Sequence, residues 1–134
     1  MLSTTFTVIV VPADPARPCR IVSVRRGDRG FRQVSELVGG AVEEAVYDRD
    51  ALLYLNDSGR MLGFPVNERI TQYVRNDSEA AEQHRQRHSP WPDDYVLCGD
   101  VVLAGSFAQA SDRAWAGDAC DVPERFYRAF GVPR

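Results

Sequence analysis

Two histidines four residues apart, His84 and His88, have the first spacing in this chain that could do chemistry. On a helix they would share a face and could hold a divalent metal. Arg85 and Arg87 would repel a cation there, and no Glu follows His84 as a metalloprotease pattern requires. The pair therefore reads as two solvated imidazoles, and no metal is expected. Nucleophilic catalysis needs a Ser or Cys beside a His that a third group orients. These two histidines are the only ones in the chain, and no Gly-x-Ser-x-Gly elbow accompanies them. Gly27-Asp28-Arg29-Gly30 lacks the lysine of a phosphate-binding loop, and the sequence has no lysine at all. Asp100, in Gly99-Asp100-Val101-Val102, is a carboxylate within an apolar run. Burial would raise its pKa and make it a candidate for chemistry. Bonded to a neighbouring amide, it would be structural, and that reading is favoured. No catalytic residue and no cofactor are expected.

The arginines are the other chemical feature. All 16 basic residues are arginine, which is read first as the mark of GC-rich coding DNA. Their placement is uneven. Arg17, Arg20, Arg25, Arg26, Arg29 and Arg32 face only Asp14 and Asp28 in the first 35 residues, a local excess of +4 against a chain total of −3. Guanidinium forks match phosphate and carboxylate bidentately, as lysine cannot. Arg20, Arg25, Arg26, Arg29 and Arg32 are thus the candidate contacts for an anionic ligand or an acidic partner. The alternative, favoured on the sequence, is a solvated surface or an internal complement to Glu43, Glu44, Asp48 and Asp50. A net charge of −3, a pI of about 5.3 and Phe31 as the lone aromatic in the basic stretch argue against nucleic acid.

The elements that must position these residues begin with Thr5 to Val11, a buried strand stopped by Pro12. Cys19 to Val24 reads as its hairpin partner, with Arg20 and Ser23 exposed. Arg25 to Gly30 is a turn, and its Arg-Gly-Asp is coincidental. Phe31, Val34, Leu37 and Val38 mark one face of a short helix that Gly39-Gly40 closes. Strands at Ala41–Tyr47 and Ala51–Asn56 follow. A turn through Asn56-Asp57-Ser58-Gly59 leads to a short return, Met61 to Phe64, which Pro65 stops. Asn67 caps a helix over 68–74. Residues 76–94 are polar and read as an insertion, an exposed helix with a proline-bounded loop. Tyr95 to Leu103 is a central strand, with Cys98 a small buried hydrophobe. After a loop holding Trp115, a last helix with Pro123 in its first turn puts Phe126, Tyr127 and Phe130 on its apolar side.

The order Leu37-Val38-Gly39-Gly40, Tyr54-Leu55-Asn56-Asp57-Ser58-Gly59-Arg60, Leu62-Gly63-Phe64-Pro65-Val66-Asn67 and Leu97-Cys98-Gly99-Asp100-Val101-Val102 resembles a small family of uncharacterised proteins. It is similar to the domain of unknown function DUF3846, found mostly in phages, plasmids and integrated elements. Members read Val-Gly-Gly, Asn-Glu-x-Gly, Leu-Pro-x-Asn and Gly-Asp-Val-Val in order; Asp57 stands here where Glu is commoner. The resemblance covers about residues 6–105. It implies a fold and a genetic setting, and no activity.

These readings converge on an α+β fold, a mainly antiparallel sheet of about five strands with packed helices and a C-terminal helical extension. The 134 residues make one domain, with a core at 6–105, the insertion at 76–94 and the extension at 106–134. Three widely spaced cysteines argue against a disulfide framework, and the short apolar N-terminal run argues against a signal or span, so a cytoplasmic protein without membrane association is expected. Asn56, Gly59, Pro65, Asn67, Gly99 and Asp100 form a structural signature. The expected function is a non-enzymatic binding or modulator protein of a phage or mobile element, acting on a host protein or host defence. The alternatives are sequestration of a small anionic ligand such as a nucleotide, and a small enzyme using Asp100 with Asn56 or Asn67.

Overall fold

A computed structural model describes residues 4–106 and 119–133. Its elements are β1 (Thr5–Val11), β2 (Arg20–Arg25), α1 (Asp28–Val38), β3 (Val42–Asp48), β4 (Ala51–Asn56), α2 (Glu68–Asn76), α3 (Glu79–Gln86), β5 (Val101–Ser106), β6 (Ala119–Cys120) and α4 (Arg125–Ala129). One antiparallel sheet runs β2-β1-β5-β4-β3, and β6 pairs with β5. The fold is α+β, as the sequence pattern predicts.

Helices cover both faces of this sheet. Val34 and Val38 of α1 pack with Phe6, Val8, Val10, Leu52, Tyr54 and Val102 on one side. Ile70 and Val74 of α2 and Phe126 of α4 pack with Ile9, Val11, Leu53, Leu55, Val101 and Leu103 on the other. Strands buried on both faces lose the polar alternation of a half-solvated sheet. That is why Val8 to Val11 and Val101 to Ala104 read as unbroken apolar runs. In the outer strand β2, Val24 is buried and Arg20 and Ser23 are exposed as predicted, though Ile21 is exposed as well.

Helix α1 begins at Asp28, inside the predicted turn, and its buried stripe is Gly30, Val34 and Val38. Phe31, predicted on the core face, is 43% exposed. The reason is Gly30: a Cβ there would stand 1.6 Å from the Arg25 carbonyl oxygen, so only glycine lets the helix lie this close to β2. A residue without a side chain left no mark in the apolar pattern.

Three further elements differ from expectation. Met61 to Phe64 is not a returning strand; Leu62, Gly63 and Phe64 donate backbone bonds to Ser58, Arg60 and Gly59, which coils the segment into successive turns. Residues 95–100 precede β5 without joining its ladder, apart from a bridge between Val66 and Cys98. The C-terminal segment does more than extend the fold. β6 adds to the sheet beside β5, Val122 donates to the Thr7 carbonyl, and Phe126 is fully buried. Trp115 lies outside the described residues. The cysteines Cys19, Cys98 and Cys120 are free. Among the described residues, no helix is long and apolar enough to cross a membrane.

The polar segment 76–94 is peripheral but pinned. Ser78 caps α3 by accepting from Ala81, and its hydroxyl donates to the Val74 carbonyl. The Trp91 indole donates to the Arg75 carbonyl at 3.1 Å and packs on the α2 side of the core.

Candidate functional site

Pro65, Asn67, Gly99 and Asp100 meet where the end of β1, the start of α2 and the entry to β5 come together, while Asn56 and Gly59 hold the turn after β4. Asn67 is fully buried. Its Oδ1 accepts from the Ile70 amide, capping α2, while its Nδ2 donates to the Val11 carbonyl at 2.8 Å and the Gly99 carbonyl at 3.0 Å. One amide side chain thus satisfies both elements flanking it and the helix between them. Asn56 works in the same way: Oδ1 accepts from the Ser58 amide, and Nδ2 donates to the Val38 carbonyl at the end of α1. Asp100 Oδ1 accepts from the Ala13 amide at 2.9 Å, and the Pro65 carbonyl accepts from the Gly99 amide. Asn56, Asn67 and Asp100 are therefore committed to backbone groups, the structural alternative weighed from the sequence.

Phe64 explains the glycines. Cβ atoms placed on Gly39, Gly59 and Gly99 would stand 3.6, 3.4 and 2.9 Å from its ring, so the three glycines form a slot for it. Gly99 also holds φ at +87°, a conformation that L side chains resist. Read from sequence, Phe64 closed a strand. Its ring contacts the nearby Gly59 and two segments remote in the chain, at Gly39 and Gly99, and no periodicity encodes that.

The arginines divide. Arg25, Arg26 and Arg29 line one open hollow of about 330 Å³ with Thr4 and Thr5, where the end of β2 meets the start of α1. Arg26 is held there, its guanidinium 5.1 Å from the Phe6 ring centroid and donating to the Ala119 carbonyl. Arg20 lies at the other end of β2, and Arg32 is exposed one turn along α1 from Arg29. Among the described residues no carboxylate pairs with Arg20, Arg25, Arg29 or Arg32.

Of the two structural readings favoured on the sequence, a solvated surface or an internal complement, the second does not form with Glu43 and Glu44. Glu43 and Glu44 lie on β3, the outer strand at the opposite edge from β2. Four interstrand spacings, roughly 19 Å, separate them, beyond the combined reach of the side chains. Asp48 and Asp50 are engaged elsewhere. Asp48 is buried; it accepts from the Tyr73 hydroxyl and the Glu79 amide, with Arg125 at 3.8 Å. Arg125 also grips Asp50 in a fork at 2.6 and 2.7 Å, and this pulls the Asp50 carboxyl below its ordinary range. Burial, then the Asp48 bond, pushes the Tyr73 phenol well up.

His84 and His88 do not act as a pair. The His84 ring stacks on Trp91 with centroids 4.0 Å apart, and its Nδ1 bonds the Ser89 carbonyl, while His88 lies beyond the end of α3. Among the described residues, no group of three or more His, Cys, Asp or Glu is placed to hold a metal.

The sequence was compared with family models, curated proteins and solved structures. A model described as a domain of unknown function (DUF3846) matches residues 6–128, running past Gly105 through the strand and helix of the C-terminal segment. Neither the curated proteins nor the solved structures gave a match.

Proposed function

Since this chain belongs to the DUF3846 family, a domain of unknown function, we propose from its geometry that it is a non-enzymatic binding protein engaging an acidic partner through the β2–α1 corner. The observation that carries this reading is the gathering of Arg25 and Arg29 around one hollow, with no carboxylate paired to either among the described residues and with Glu43 and Glu44 at the far edge of the sheet. The guanidiniums of Arg25 and Arg29 thus keep donor forks to present to an arriving anion. Arg20 and Arg32 widen the basic surface along β2 and α1 beyond the hollow, which favours a macromolecular partner over a small anion. The phage or mobile-element setting implied by the resemblance makes a host protein the partner, with the chain as its modulator.

A second reading has its own support. The hollow's volume of about 330 Å³ and the two threonines beside the arginines suit a small phosphorylated ligand such as a nucleotide. A reaction centred on Asp100 has less, because Asp100, Asn56 and Asn67 are bonded to backbone groups.

The test uses Arg25→Ala combined with Arg29→Ala. Arg26 is left intact because it packs on Phe6 and would confuse binding with stability. Calorimetric titrations with a poly-glutamate peptide and with pyrophosphate, at low and high salt, separate the two readings. The acidic-partner reading predicts salt-sensitive peptide binding that the double variant loses at unchanged melting temperature. Pyrophosphate binding alone selects the small-ligand reading. Absence of both, or binding that the variant retains, overturns the assignment of this corner.

A further inference from the structure

The acidic edge of the sheet carries a second cavity, of about 310 Å³, between β3, the turn after β4 and the segment leading to β5. Its walls are unlike those of the arginine corner. Tyr47 and Tyr95 line it with their hydroxyls bonded to each other, and Leu55 and Leu97 supply apolar surface. Glu43 and Asp57 contribute carboxylates at its edge. Among the described residues Glu43 has no cationic partner, and the side chain of Asp57 accepts a bond from the Ser58 hydroxyl. The one cation lining the cavity, Arg60, is tied off on Asp94, both at its carboxylate (3.3 Å) and at its backbone carbonyl (3.1 Å). The cavity thus combines two electron-rich rings, apolar walls and a surplus of negative charge.

We propose that this cavity binds an organic cation, an alkylguanidinium or alkylammonium group, with its alkyl portion against Leu55 and Leu97 and its charge between the tyrosines and Glu43. An aromatic face attracts a cation through its quadrupole, and the attraction grows where water is partly excluded. A carboxylate beside the ring adds the charge-assisted bond that fixes orientation. Both phenols are protonated at neutral pH, as any tyrosine is, and burial pushes each of them further up, so the tyrosine pair remains a neutral, hydrogen-bonded wall. This site lies at the opposite edge of the sheet from the arginine corner and does not depend on it.

The test is a nuclear magnetic resonance titration of the full chain with butylguanidinium, with the neutral pentanamide of similar length, and with a capped Gly-Arg-Gly peptide. Saturable shifts at the Asn56, Gly59 and Cys98 amides are expected with the cations and not with pentanamide. Glu43→Gln should weaken the cation by roughly tenfold, the scale of losing one charge-assisted contact. Glu43 is exposed on an outer strand, so that variant should melt with the parent; Asp57→Asn serves as a second, independent reduction of the charge. Tighter binding of the peptide would assign the cation to a polypeptide side chain, and tighter binding of butylguanidinium to a free small molecule. Arg25→Ala with Arg29→Ala should leave this titration unchanged. Equal binding of pentanamide, no saturation by either cation, or an unchanged affinity in both carboxylate variants would overturn the proposal.

Discussion

Asn67 shows how much one side chain can hold. Its three bonds serve the α2 amide end, the last residue of β1 and the turn into β5. Truncation removes the cap and also strands two buried carbonyls. Asn67→Ala should therefore cost roughly 2–4 kcal/mol, above the usual cost of about 1 kcal/mol for an N-cap alone. Urea denaturation measures it, and a loss under about 1 kcal/mol would mean that water satisfies those carbonyls. Gly99→Ala tests the Phe64 slot, since it forces a Cβ into both a +87° φ and the ring. A loss of roughly 1–3 kcal/mol is expected, relieved in part when Phe64→Leu removes the ring edge. The capping role of Asn67 was legible because the residue sits directly before a helical pattern. Its bonds to Val11 and Gly99 were not, because they span 56 and 32 positions and local sequence carries no trace of such partners.

Among the elements, α4 carries an ion pair that acid should weaken. Arg125 lowers the Asp50 carboxyl below its ordinary 3.8. A group whose folded value is depressed stabilises the fold fully above its unfolded value and loses that contribution as pH falls through the folded one. The Arg125–Asp50 contribution should thus be complete at neutral pH and fade below about pH 3.8. Thermal melts at pH 7 and pH 3 should show wild type losing more stability on acidification than Asp50→Asn; an equal loss would separate the pair from stability. The polar segment around α3 makes a different prediction. It hangs on Trp91, whose ring touches His84, Tyr95 and the core. Trp91→Ala should speed amide exchange across 79–92 while leaving β1 and β5 protected. Composition made this segment look detachable because its anchors are a few residues within a polar majority. Likewise β2 was legible as a strand, whereas the apolar run from Tyr95 concealed a break at Gly99 that only the positive φ explains.

At the scale of the molecule, the chain separates its charge across one sheet. Arginines mark the β2 edge and glutamates the β3 edge. Charges on outer strands also deter edge-to-edge pairing, which any open sheet must avoid. The sequence displayed the charge imbalance plainly but could not say whether its two halves meet. That is decided by strand order, and β2 and β3, separated only by α1 in the chain, end at opposite edges because β1, β5 and β4 lie between them. The central claim is that the arginines at the β2–α1 corner are directed outward, to an anion. Its most direct measurement is a heteronuclear titration of the wild-type chain with a poly-glutamate peptide at low salt. Shifts are expected to concentrate at Thr4, Thr5, Arg25, Arg26 and Arg29, to spread along Arg20 and Arg32, and to collapse as salt is raised. Shifts that map elsewhere, or none at all, would contradict that claim.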